Sequence, residues 1–250
     1  LSRKLEGKGA VLIQGPKWCG KTTTAEQMAK SVLYMDDPEN MEQNLQLAQM
    51  SPKRLLLGDT PRLIDEWQLA PQLWDTIRFE VDHRDDLGQF ILTGSAVPAD
   101  KSQIHHSGTG RFSWLTMRTM SLFESGDSAG EVSLSELFNH PTDVFAENKL
   151  TIDDLAFLIC RGGWPMSVDM KKEIALEQAF DYYEAVVNSD ITRVDGVSRD
   201  AERAKRIMKS YARNQGGQVS LNAICADITT NDSVNANTET ISSYVDALKK

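Results

Sequence analysis

The chain has 250 residues and only three cysteines, Cys19, Cys160 and Cys225. They are scattered and form no Cys-x-x-Cys pair, so neither a disulfide framework nor a zinc site is indicated. No apolar run approaches the ~18 residues of a membrane span, and the N-terminus lacks an apolar signal core behind a basic start. Positive charge is in deficit: Lys+Arg 27 against Asp+Glu 36 leaves a net −9. No global positive field therefore draws the protein to nucleic acid or to an anionic membrane, and any such contact has to be local. These absences point to a cytoplasmic protein with no membrane partner. The 40% hydrophobic content is enough to fill the core of one large or two modest domains. The chain begins at Leu1 rather than Met and stops at Lys249-Lys250 in helix-like sequence, so we expect a piece of a longer protein.

The most informative stretch is Gly15-Pro16-Lys17-Trp18-Cys19-Gly20-Lys21-Thr22. It fits the phosphate-binding loop pattern, two glycines followed by Lys-Thr, with an apolar strand (Ala10 to Ile13) ahead and a helix from Thr23 behind. In that context backbone N–H groups and the helix N-terminus cradle phosphates, Lys21 reaches the β/γ oxygens and the Thr22 hydroxyl ligates magnesium. Residues 15–23 are thus the expected binding segment for a nucleoside triphosphate.

Arg62-Leu63-Ile64-Asp65-Glu66 reads as a short strand ending in two acids. Asp65 is the expected magnesium residue and Glu66 the expected general base. The bland alternative is an acidic pair opening the next helix; the loop upstream decides against it. Gln89 to Ser95 is another apolar strand turning polar at its C-terminal end, where open α/β sheets carry their ligand groups, so Thr93 or Ser95 is expected to sense the γ-phosphate. Ser31 to Asp37 reads as a further strand, expected to lie between the loop strand and the acid strand. Arg111, in the Gly-containing segment 105–111, is a candidate arginine finger for its own or a neighbouring subunit, with a solvated or structural arginine as the alternative; action in trans would need a homo-oligomer. The adjacent His105 and His106 have no third ligand near in sequence and are set aside. Leu73, Trp74, Ile77 and Val81 recur at helical spacing, and Trp114 to Met117 supplies a fifth strand.

Beyond residues 125–132 the pattern turns helical. Arg203, Lys205, Arg206, Lys209 and Arg213 make one helix locally basic, with nucleic-acid contact and a plain solvated face as alternatives. Segments 220–228 and 238–248 read as two short helices, each with a Ser or Thr cap, similar to a winged helix-turn-helix.

Gly15 to Thr22, Asp59 to Gln68, Phe90 to Ser95, Gly110-Arg111-Phe112 and Met120-Ser121-Leu122-Phe123-Glu124 resemble the blocks of a prokaryotic family of AAA-type ATPases that join a P-loop domain to a winged helix and a nuclease-like C-terminal domain. Trp114, Thr116 and Thr119 depart from its pattern. The resemblance implies ATP and magnesium as cofactors, with Lys21, Thr22, Asp65 and Glu66 in those roles. The expected architecture is an α/β P-loop ATPase domain over 1–128, a helical linker over 129–198 and a partial winged-helix domain over 199–250. The expected function is slow ATP hydrolysis coupled to a conformational change in the winged-helix region. A nucleic-acid-binding module switched by nucleotide occupancy, and a small-molecule kinase, are the alternatives from other classes.

Overall fold

The computed structural model describes residues 1–94, 106–141, 144–232 and 235–249. These divide into two compact units, one within residues 1–179 and one within 180–249. In the first, α1 (Ser2–Leu5), β1 (Ala10–Gln14), α2 (Lys21–Glu26), β2 (Ser31–Tyr34), α3 (Met41–Met50), β3 (Arg62–Asp65), α4 (Leu73–His83), β4 (Phe90–Gly94) and β5 (Phe112–Thr116) follow in chain order. All strand pairs are parallel, in the order β2-β3-β4-β1-β5. Parallel strands are covered on both faces, which is why β1, β3 and β4 read as continuous apolar runs rather than alternating ones.

The strand period then sorts those residues onto two faces. Ala10, Leu12, Ile64, Phe90 and Leu92 join Leu73, Trp74 and Ile77 of α4, Ala48 of α3 and Phe112 in one cluster. Val11, Ile13, Leu63 and Ile91 join Leu5 and Ala25 in the other. Helices thus cover both faces of a five-stranded parallel sheet, an α/β architecture.

A strand does separate the loop strand β1 from the acid strand β3, but it is β4 and not the expected Ser31 to Asp37 segment. That segment becomes the edge strand β2, half-buried from Ser31 to Leu33 and exposed at Tyr34, while Phe90 to Leu92 are fully buried. The more apolar strand takes the central position.

After β5 the first unit continues with α5 (Leu134–Asn139), α6 (Ile152–Arg161), α7 (Pro165–Val168) and the start of α8 (Lys172–Ala185). Thr151 and Asp154 cap α6 reciprocally. The second unit begins within α8, earlier than the boundary expected at residue 199. A π-helical turn (Val186–Asp190), α9 (Ile191–Arg193), α10 (Ala201–Arg213), α11 (Leu221–Asp232) and α12 (Thr238–Leu248) complete it. Val187 and Ile191 are the reason for the earlier start, since they pack with Ile207, Ile224, Ile228, Ile241 and Tyr244 in one core. Among the described residues this unit contains no strand, so the three helices are present and the hairpin that would define a wing is not. Asn237 rather than a Ser or Thr caps α12, its Oδ1 accepting from Thr240 N at 2.8 Å.

Glu80 is a buried charge that fastens α4. It meets Lys53 Nζ at 2.9 Å and Arg84 at 2.7 Å. Burial alone would lift its carboxyl, but the hydrogen bonds from Lys53 and Arg84 outweigh burial and hold it below the ordinary value. A carboxyl lowered on folding contributes stability above its unfolded pKa and loses it as pH falls through the folded value. Glu80→Gln is therefore expected to be about 1–2 kcal/mol less stable than the parent at neutral pH. Thermal melts should show the gap narrowing as pH falls below about 4.3; a gap that does not narrow at all on acidification would contradict the ion-pair origin.

Candidate nucleotide site

Parallel strands all present their C-terminal ends to one edge, and this edge collects the polar groups read from the sequence. The loop follows β1, Asp65 closes β3 and Thr93 lies near the end of β4. Gly20 caps α2 in a left-handed conformation, φ 92°, which glycine adopts without steric cost. A Cβ on Gly15 would lie 2.2 Å from the Met117 carbonyl oxygen, so the loop leaves β1 pressed against the end of β5. Lys21 is buried and donates to the carbonyl oxygens of Gly15 and Pro16 at 2.9 and 2.8 Å. Burial lowers the pKa of its ammonium, while Cys19, Glu66 and Asp65 oppose the shift.

Asp65 is the centre of the arrangement. Thr22 Oγ1 donates to its Oδ1 at 2.9 Å, and Thr93 Oγ1, fully buried, donates to the same oxygen. Thr22 and Asp65 present a hydroxyl and a carboxylate side by side, hard oxygen donors suited to magnesium, which keeps most of its waters and needs few protein ligands. Among the described residues there is no cluster of three His, Cys, Asp or Glu that could hold a metal in a protein cage.

Glu66 follows in a left-handed conformation, φ 53°, where the chain turns into Trp67–Leu69. Burial raises its carboxyl above the ordinary value and Asp65 adds to the rise, opposed by a hydrogen bond from Gln68. Among the described residues the only non-glycine residues at positive φ are Glu66 and Trp18, φ 63°. Such backbone costs about 1–3 kcal/mol and persists where ligand sites require it; here one instance falls in the loop and the other at the expected base.

The other expectations fare unevenly. Pro16, Lys17, Trp18, Cys19 and Thr23 all lie in the loop or the first turn of α2, Cys19 buried and Trp18 exposed. Ser95 lies outside the described residues. Arg111 is not brought to the loop: it precedes β5 at the opposite edge of the sheet, with Nε 2.7 Å from Asp82 Oδ1 on α4. Its place in the chain, ahead of a parallel strand, dictates that position, so it has no contact with this chain's own phosphate loop. Of the basic residues on α10, Lys205 pairs with Glu184 and Glu202, and Arg213 with Asp227 and Asp232. Among the described residues Arg203, Arg206 and Lys209 carry no ion pair.

Two features escaped the sequence. Gln68 donates its amide N–H to Glu66, for which the only signal was its place two residues beyond the acid pair. The turn at Gly162 to Pro165, read only as a helix separator, packs beside the loop. Met120 N donates to Gly163 O at 2.7 Å, and a Cβ on Gly20 would lie 3.7 Å from Pro165 Cγ.

Residues 7–125 match a family model described as an AAA domain. This part of the chain is an AAA-type P-loop domain. Residues 152–250 match a second family, described as "Domain of unknown function (DUF8612)", which attaches no activity to the helical part. The uncharacterized protein Rv2008c of Mycobacterium tuberculosis and the uncharacterized protein Mb2031c of Mycobacterium bovis are each 31% identical over 133 residues, 52% of this chain and 30% of theirs. The match thus spans less than a third of those relatives. A solved structure titled as C. elegans PCH-2 aligns with 96% of this chain and 60% of its own, at 16% identity and a TM-score of 0.30. The match to an AAA domain supports nucleotide binding, and no helix among the described residues is long and apolar enough to cross a membrane.

Gly15→Ala puts a methyl group onto the Met117 carbonyl and is expected to displace the loop. Binding of a fluorescent ATP analogue should weaken at least about tenfold, a loss of ~1.4 kcal/mol. Parent-like affinity would show that the close approach is not needed.

Proposed function

We propose that this protein is a slow, magnesium-dependent ATP hydrolase whose nucleotide state changes the conformation of the helical region that follows the AAA domain. The observation that carries the reading is the shared carboxylate: Asp65 Oδ1 receives both the Thr22 and the Thr93 hydroxyls, and Glu66 stands next to it. Thr22 and Asp65 would hold magnesium, which when bound neutralises charge on the β- and γ-phosphates. Lys21, carried on the first turn of α2, supplies a second positive charge to the same oxygens. Thr93 faces the site from the central strand and is the remaining candidate sensor among the described residues.

Glu66 takes a proton from water, the water oxygen bonds to the γ-phosphorus, and the bond to the β–γ bridging oxygen breaks with its electron pair leaving on ADP. Burial of the Glu66 carboxyl fits that task, since a base is most effective when its pKa is brought toward the working pH. Arg111 enters only through a second copy of the chain, because its own loop is beyond its position. A second reading, a nucleotide-switched binder of nucleic acid, is favoured by Arg203, Arg206 and Lys209, the cations of α10 without ion pairs.

Phosphate release from ATP with magnesium tests both readings. Lys21→Ala should weaken ATP binding about 100-fold. Glu66→Gln should leave binding near parental while turnover falls by about 10²–10⁴. Duplex DNA bound with a steep salt dependence, and unaffected by Glu66→Gln, would support the second reading instead. No turnover in the parent despite Lys21-dependent binding would sink the hydrolase.

A further inference from the structure

Gln68 is placed by the turn that follows Glu66, and its two polar ends have different fates. The amide nitrogen donates to Glu66 Oε2. The carbonyl oxygen Oε1 is buried and accepts no hydrogen bond from any described residue. An unpaired buried acceptor is destabilising, so its retention beside the proposed base asks for a reason. The end of β4 is shaped to admit it: a Cβ on Gly94 would stand 2.1 Å from Gln68 Oε1 and 3.4 Å from Trp67 Cδ1. Gly94 follows Thr93, whose hydroxyl is bound to Asp65. The Gln68 amide therefore lies between the base and the end of the strand that carries the candidate sensor.

We propose that Gln68 is the positioning residue of this site, fixing the Glu66 carboxylate through its amide N–H and offering Oε1 as the second acceptor for the attacking water. A water donating one proton to Glu66 and the other to Gln68 Oε1 keeps a lone pair free for the γ-phosphorus. Only the proton given to Glu66 is transferred; the other stays on the oxygen that becomes part of the phosphate. The inference rests on the hydrolase reading above.

Two variants test it from opposite sides. Gln68→Met keeps the length of the side chain and removes donor and acceptor, whereas Gly94→Ala leaves Gln68 intact and displaces its amide. Each should lower kcat about 10- to 100-fold, with the KM for ATP within about threefold of the parent, because loss of orientation is felt in the reaction and not in binding. Trapping of ADP by aluminium fluoride, which mimics the phosphoryl group in transfer, should weaken in both variants while binding of a non-hydrolysable ATP analogue stays parental. Parental kcat and trapping in Gln68→Met would overturn the assignment, as would a rise in KM at constant kcat. An inactive parent fails the hydrolase reading itself, so parent turnover and the variant-to-parent ratio separate the two failures.

Discussion

The arrangement depends on one buried carboxylate. Asp65 is 7% exposed, and a carboxylate taken out of water is tolerated only when its oxygens are satisfied. Here the hydroxyls of Thr22, on the helix after the loop, and of Thr93, on the central strand β4, converge on a single oxygen. That convergence ties the ends of β3 and β4 to the phosphate loop. In the proposed hydrolase it would also set where a magnesium ion and the terminal phosphate lie relative to Glu66. Lys21 lies near enough for Asp65 and Glu66 to act on its ammonium.

The two edges of the sheet divide the labour. At the C-terminal edge the backbone is strained or tightly approached: Glu66 and Trp18 at positive φ, and Gly15 against the Met117 carbonyl. At the opposite edge ordinary contacts hold the chain together, among them Arg111 with Asp82 and Lys8 Nζ with Gly110 O at 3.0 Å. Arg111, for which sequence alone leaves a phosphate-directed charge and a structural role open, is assigned to fastening because it stands before its strand and not after it.

What was legible in the sequence follows the strength of local signals. The loop, the acid pair and the apolar strands are contiguous patterns, and the elements they implied are present. Strand order is not a local property: nothing in Ser31 to Asp37 says that it pairs only with β3, and the central place of β4 emerges once its full burial is compared with the half-buried β2. The second unit defeated the sequence for a similar reason, since Val187 and Ile191 look like the end of a long helix until they are seen in the core formed with α10, α11 and α12. Gln68 was invisible as a functional group because its contact depends on the left-handed turn at Glu66, a conformation that no residue type at that position announces.

The central claim is that the loop and Asp65 together form one site for nucleotide and magnesium. Calorimetric titration of ATP, with and without magnesium, into the parent and Asp65→Asn tests it most directly. One site is expected, strengthened by magnesium at least about tenfold in the parent, or ~1.4 kcal/mol, with that strengthening lost in Asp65→Asn while metal-free binding survives. Equal affinity with and without magnesium in the parent, or a magnesium effect that survives in Asp65→Asn, would contradict it.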